Sequence, residues 1–165
     1  MDNFALRCCD RLQKQGFSPE QNWAQRKMLS VSENGKNYKV SVVNGAFSAV
    51  FQIDGNVIKD GQKCDKFLVA KRADGSDNAV AVFIELKGKD ISHAIDQLEE
   101  TIKNPLFRPY PAASDKTRAR IITPSCGPTS ASRIKLEEAR IRFKRQYNVE
   151  LRVLKNSQPD TPLDP

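Results

Sequence analysis

Residues 80–88 read VAVFIELKG and constrain the fold more than any other part of the chain. In a strand, alternate side chains share a face, so Phe83, Glu85 and Lys87 point one way and Ile84 points the other. Both faces are mostly apolar, which predicts a strand covered by helices on each side. A carboxylate and an ammonium at the end of such a strand are costly to bury unless they are paired or functional. Glu85 and Lys87 are therefore candidate site residues.

The remaining periodicities predict four helices and several further strands. Asp90 caps a helix that Asn104 and Pro105 end, and Ser18 with Pro19 reads as another helix start. The predicted helices span residues 3–15, 18–34, 90–103 and 130–147. The predicted strands span residues 38–42, 47–53, 64–71, 79–87, 119–123 and 150–154, and Asn44-Gly45 predicts a hairpin turn between the first two.

This order of elements predicts an α/β (α+β) fold with a mixed central β-sheet flanked by helices. We expect a single domain over residues 1–155. The tail, residues 156–165, contains three prolines and is predicted to be disordered.

The charge balance favours an anionic partner, because 27 Lys and Arg oppose 20 Asp and Glu in 165 residues and give a net charge of +7. Nucleic acid is the commonest partner of this kind. No apolar run reaches the ~18 residues of a membrane span, and no signal peptide is recognisable, so we expect no membrane and a cytoplasmic location. The four cysteines form no CxxC pair and there is one histidine, which argues for free thiols rather than a zinc site.

A second carboxylate, Asp65, begins the strand that precedes residues 79–87. If the two strands form a hairpin, its open end brings Asp65 close to Glu85 and Lys87. Two carboxylates meeting there form an oxygen-rich site that suits Mg²⁺ or Mn²⁺. Such a metal site activates water and neutralises charge on a phosphate that is being hydrolysed.

Asp65 on one strand, followed by Glu85-Leu86-Lys87 on the next, resembles the PD-(D/E)XK nuclease superfamily (restriction-endonuclease-like). The resemblance implies an αβββαβ core in which Asp65 and Glu85 bind Mg²⁺, with the Leu86 carbonyl as an extra ligand. It makes Lys87 the catalytic lysine. Many members carry a glutamine on the helix after the lysine, and Gln97 fits that catalytic position.

The chain departs from the superfamily pattern in three respects. Cys64 replaces the proline of the motif, and the gap between the two acidic residues is long. Some members take a further acidic ligand from the first core helix, and either Glu20 or Glu33 could serve. Asp54 is a fallback for Asp65, although its Asp-Gly context favours a turn.

Several basic side chains are candidates for contacting phosphates. They are Lys89, Arg118, Arg120, Arg140 and Lys144. For the basic last helix, a solvated face is an equally good interpretation. We expect His93 to be solvated and Trp23 to be a core residue rather than a platform for bases.

The sequence thus predicts a Mg²⁺-dependent (or Mn²⁺-dependent) endonuclease with nucleic acid, DNA favoured, as its substrate. A chain of this size suits a homodimer, a subunit of a larger complex, or a nuclease of a mobile element, phage or defence system. One alternative is a non-catalytic nucleic-acid-binding or interaction module on the same fold. Another is an RNA-cleaving toxin or effector.

Overall fold

The computed structural model describes residues 2–86, 90–124 and 127–165 and confirms a mixed α/β fold. Three α-helices and nine strands occur in these ranges. The helices are α1 (Phe4–Lys14), α2 (Ile91–Lys103) and α3 (Ser130–Arg142). The strands are β1 (Gln21–Gln25), β2 (Met28–Glu33), β3 (Lys36–Val42), β4 (Phe47–Gln52), β5 (Lys66–Lys71), β6 (Ala79–Glu85), β7 (Lys116–Thr123), β8 (Glu150–Lys155) and β9 (Pro159–Leu163).

The strands form two mixed sheets. The larger sheet has the order β1-β4-β5-β6-β7-β8 and the smaller one the order β2-β3-β9. In the larger sheet, each neighbouring pair from β1 through β4 and β5 to β6 is antiparallel, whereas β6, β7 and β8 run parallel. The predicted hairpin of β5 and β6 is therefore present at the centre of the larger sheet.

Strand β6 is buried along its whole length, because both faces of the larger sheet are covered. Phe67 and Phe83 pack on the side of the helices, and Phe107 joins their aromatic cluster at ring distances of 5.1 and 5.0 Å. Val82 and Ile84 pack on the opposite side, in the cluster that includes the smaller sheet. The prediction of helices on both faces is wrong, because a second sheet supplies the other cover.

The helices α1, α2 and α3 confirm three of the four predicted helices. Asn3 caps α1 by accepting from Ala5 N at 2.9 Å, and Asp90 caps α2 by accepting from His93 N at 3.1 Å. The last turn of the third helix widens into a π-helical segment over residues 143–147. No described helix has the length and apolar character needed to cross a lipid bilayer.

The predicted helix over residues 18–34 is wrong, because this segment forms β1 and β2. In β2 the buried Leu29 and Val31 alternate with exposed Met28, and this period of two is that of a strand with one covered face. Pairing with β3 satisfies the backbone of β2. Long-range pairing outweighs the local capping signal at Ser18.

The predicted hairpin at Asn44-Gly45 is wrong, because this turn joins strands of different sheets. Asn44 and Gly45 have φ angles of 56° and 62°, a region that asparagine and glycine tolerate. Strand β3 pairs with β2 and β9, whereas β4 pairs with β1 and β5. The turn therefore passes the chain from the smaller sheet to the larger one.

The prediction of a disordered tail over residues 156–165 is wrong, because the tail forms β9 at the edge of the smaller sheet, parallel to β3. Prolines are compatible with an edge strand, where missing N–H groups need no partner. Asp160 is buried and accepts hydrogen bonds from Tyr38 OH and Arg120 Nε, both at 2.8 Å. The tail is held by polar contacts in the interior.

Candidate metal and phosphodiester site

Asp65 lies beside the end of β6 that carries Glu85, at the open end of the β5–β6 hairpin. Lys66 pairs with Ile84, and Asp65 N also donates to Ile84 O at 3.1 Å, so Asp65 lies just outside the regular register. This is the irregularity of a β-bulge, in which two residues of one strand face a single residue of the other. Both side chains are almost completely buried. The structure therefore brings together the two carboxylates that the sequence predicts to meet.

The electrostatics of the neighbouring Cys64 agree with this placement. Burial raises the pKa of the Cys64 thiol, and the nearby carboxylates of Glu85 and Asp65 raise it further. Asp65 Oδ2 accepts a hydrogen bond from Leu86 N at 2.6 Å, which orients the Asp65 carboxylate towards the end of β6. The thiol is therefore protonated at neutral pH, and the site is a carboxylate site rather than a thiolate site.

Lys87 and Lys89, the predicted catalytic lysine and a predicted phosphate contact, lie outside the described residues. Within the described ranges, no group of three or more histidine, cysteine, aspartate or glutamate side chains could hold a metal ion. Cys8, Cys9 and Cys64 are buried free thiols, as predicted, and Cys126 lies outside the described ranges.

The two candidates for a further acidic ligand occupy different surroundings. Glu20 Oε1 and Oε2 both lie 2.9 Å from Nζ of Lys66. Glu33 ends β2, opposite Lys36, in the smaller sheet that covers the other face. The described contacts therefore do not join Glu20 to the carboxylate pair.

Asp54, the fallback for Asp65, has a different neighbour. Ile53, the residue after β4, lies opposite Asp65, because Ile53 N donates to Asp65 O at 2.9 Å and Asp54 N lies 3.5 Å from the same oxygen. The Asp54 carboxylate lies 3.6 Å from Lys63 Nζ. Asp65 therefore remains the better candidate for a second metal ligand beside Glu85.

Gln97 lies on α2 and contacts the segment that leads into β5. Its Nε2 donates to Lys63 O at 3.1 Å, while Thr101 Oγ1 accepts from Cys64 N at 2.8 Å. The sequence places Thr101 on the same flank of the helix as Gln97 but gives it no role. Its spacing of four residues from Gln97, one helical turn, is the signal that could have identified it.

Arg118 and Arg120 do not present their guanidinium groups to a phosphate, which corrects the prediction. Arg120 is fully buried and donates to Asp160 Oδ2 at 2.8 Å and to Glu150 Oε2 at 2.9 Å. Arg118 donates to Thr161 O at 2.6 Å and to the carbonyl that follows it. On a strand that β9 covers, these basic side chains hydrogen-bond to acceptors within the protein rather than to an external phosphate.

Arg140 and Lys144 remain at the surface and line a common depression. With Glu150, Leu151 and Arg152 they enclose about 420 Å³. Lys144 Nζ donates to Asn148 Oδ1 at 2.8 Å, and Arg140 pairs with Glu137. Arg152 is a basic residue of this surface that sequence reasoning missed.

His93 and Trp23 behave as predicted. The His93 side chain is exposed on α2. Trp23 packs against the core on the helix side, and the Lys71 ammonium lies 4.5 Å from its ring centroid. This cation–π contact occupies the ring with a protein group.

A cleft of about 700 Å³ opens beyond the end of β7, between the N-terminal ends of α2 and α3. Glu85 is level with Ile121 in the parallel pair β6 and β7, so Thr123, which lines the cleft, lies at the same edge of the sheet. Four hydroxyl residues, one acidic residue and one lysine line this cleft together with apolar residues. The polar ones are Asp90, Ser92, Thr123, Thr129, Ser132 and Lys135.

Comparisons with protein families, curated proteins and solved structures found no match to this chain. The activity of the site therefore has to be inferred from its own residues.

Proposed function

We propose that this protein is a Mg²⁺-dependent endonuclease that hydrolyses DNA phosphodiester bonds. The observation that carries the proposal is the proximity of Asp65 to the end of β6 that carries Glu85, where Leu86 N donates to Asp65 Oδ2 at 2.6 Å. Leu86 and Lys87 follow Glu85 directly in the chain, which supplies the Glu-x-Lys sequence beside the paired carboxylate.

The residues fit a hard divalent cation. Carboxylate oxygens are the ligands that Mg²⁺ and Mn²⁺ prefer, and a cation offsets the repulsion between two buried carboxylates that lie close together. Asp65 and Glu85 would hold the ion, with the Leu86 carbonyl as a further oxygen ligand. The ion would supply Lewis acidity for activating water and for neutralising charge on the phosphate. Lys87 would hold a phosphate oxygen or the attacking water.

The order of elements also supports the proposal. Helix α1 is followed, after the β1–β3 segment, by the antiparallel strands β4, β5 and β6, then by α2 and the parallel strand β7. This is the αβββαβ order implied by the resemblance to PD-(D/E)XK nucleases. The first helix of this order is α1, rather than the segment that contains Glu20 and Glu33.

Two surface features favour a polyanionic substrate. The net charge of +7 attracts nucleic acid, and the cleft beyond β7 lies at the edge that carries Glu85. Arg140, Lys144 and Arg152 would contact the backbone of the substrate away from the cleaved bond.

The decisive experiment is cleavage of supercoiled plasmid by the purified chain in Mg²⁺, in Mn²⁺ and in chelator. We expect cleavage only with metal, and a loss of about 100-fold or more in Asp65→Asn, Glu85→Gln and Lys87→Ala. Asp10→Asn is the matched control, because Asp10 is exposed on α1 and pairs with Lys14. Full activity in Glu85→Gln would refute the proposal.

Parallel reactions with single-stranded DNA and RNA distinguish the alternatives. Metal-dependent cleavage of RNA alone would indicate an RNA-cleaving effector. Salt-sensitive binding of DNA without cleavage of any substrate would indicate a non-catalytic module.

A further inference from the structure

The chain reaches Asp65 through two residues whose backbone is held by α2 rather than by a neighbouring strand. Cys64 N donates to Thr101 Oγ1 at 2.8 Å, and Lys63 O accepts from Gln97 Nε2 at 3.1 Å. Asp65 is the first residue of this segment whose amide and carbonyl both hydrogen-bond to neighbouring strands. The position of the Asp65 carboxylate therefore depends on α2 as well as on the sheet.

The Thr101 hydroxyl acts both as a hydrogen-bond donor and as an acceptor. Its O–H donates to Gln97 O at 2.8 Å, its oxygen accepts from Cys64 N, and the side chain is fully buried. Serine can reproduce both bonds, whereas valine has the same shape but neither donates nor accepts. In valine the buried Cys64 amide loses its partner, and the backbone has to move to recover one.

We propose that Thr101 is a positioning residue for the metal site, acting through the Cys64 amide to hold Asp65 beside the end of β6 that carries Glu85. This inference rests on the proposed function and deepens it. It also gives Gln97 a positioning role, because its amide nitrogen is engaged with the Lys63 carbonyl. Groups that orient metal ligands from behind typically contribute 10- to 100-fold in metal affinity.

The first test measures Mn²⁺ binding to the full-length protein by calorimetry or electron paramagnetic resonance. We expect Thr101→Val to weaken binding by about 10- to 100-fold and Thr101→Ser to stay within about threefold of wild type. The control is Ser48→Ala. The Ser48 hydroxyl is also buried and accepts from Arg26 Nη1 at 3.0 Å, but Ser48 pairs with Ala70, about 16 Å along β5 from Asp65.

The second test needs no metal and separates this inference from the proposed function. Leu86 N donates to Asp65 Oδ2, so hydrogen exchange of the Leu86 amide reports the position of the carboxylate. We expect faster exchange in Thr101→Val, recovery in Thr101→Ser, and wild-type exchange in Ser48→Ala. If Thr101→Val does not fold, Gln97→Leu serves as the milder variant.

Unchanged Leu86 exchange in the substituted proteins would overturn the positioning role, whatever the protein cleaves. Equal weakening of Mn²⁺ binding in Thr101→Val and Ser48→Ala would also overturn it, because the effect would then follow stability alone. Absence of Mn²⁺ binding by the wild-type protein would instead refute the proposed function, and with it the metal-directed role of Thr101.

Discussion

Replacing Asp160 by alanine tests whether the tail is an integral part of the fold. Asp160 Oδ2 accepts from Arg120 Nε and Tyr38 OH at 2.8 Å and lies 3.5 Å from Arg118 Nη1. The Arg120 side chain is fully buried, so the substitution leaves its charge without its most buried partner. Breaking a buried ion pair in this way typically costs about 3 to 5 kcal/mol. We expect the lower part of that range, because Glu150 Oε2 still lies 2.9 Å from Arg120.

The assay is urea denaturation at pH 7, which gives the free energy of unfolding. Asp164→Ala is the matched control. Its carboxylate is half-exposed and lies 3.9 Å from Arg72, so we expect a loss below about 0.5 kcal/mol. A loss below about 1 kcal/mol in Asp160→Ala would refute the reasoning. It would mean that β9 docks through its backbone and apolar contacts alone.

The pH dependence gives an independent check on the same ion pair. Burial alone raises the pKa of Asp160, but the charge of Arg120 and the hydrogen bonds from Tyr38 and Arg120 outweigh it and lower the pKa overall. A carboxylate with a lowered folded-state pKa stabilises the protein above its unfolded-state pKa of about 3.9. That stability is lost as the pH falls through the folded-state pKa. The difference between wild type and Asp160→Ala should therefore shrink on acidification.

Two further predictions concern α3 and its surroundings. Lys144→Gln should reduce the slope of log affinity against log salt for duplex DNA by about 0.9 if Lys144 contacts one phosphate, as measured by fluorescence anisotropy in chelator. Lys14→Gln, an exposed lysine on α1, should leave the slope unchanged. Glu99→Gln weakens two hydrogen bonds of 2.9 Å from Arg142 and should lower the free energy of unfolding by about 1.5 to 3 kcal/mol. Glu100→Gln should have little effect, since Glu100 is half-exposed, and equal losses in the two variants would contradict the reasoning.

The parts of the fold that could be predicted are those set by local pattern. The apolar stripe of α2, its Asp90 cap and its end at Asn104 are all contained within one segment, and the helix is where the pattern predicts it. The hairpin of β5 and β6 is likewise local, because a short polar turn joins two apolar strands. Such features need no knowledge of distant residues.

The parts that could not be predicted depend on pairing between distant segments. Ser18-Pro19 is a good helix start, yet the following residues pair with β4 and β3 as strands. The tail is polar and rich in proline, but Asp160 meets Tyr38 from a segment 122 residues away. Neither partner is visible in the local sequence. Tertiary pairing therefore reverses two local preferences in this chain.

The predictions about the candidate site show the same difference between local features and long-range contacts. The proximity of Asp65 and Glu85 was predictable because one hairpin brings the start of β5 beside the end of β6. The prediction for Arg120 was wrong because its guanidinium group donates to Asp160 and Glu150, which come from two other strands. Basic residues that follow a strand pattern within a sheet are therefore poor evidence for nucleic-acid contact until both faces of the sheet are known. Carboxylates at the open end of a single hairpin are better evidence, since the hairpin that brings them together is a local feature. Helix α2 then holds the backbone that leads to Asp65.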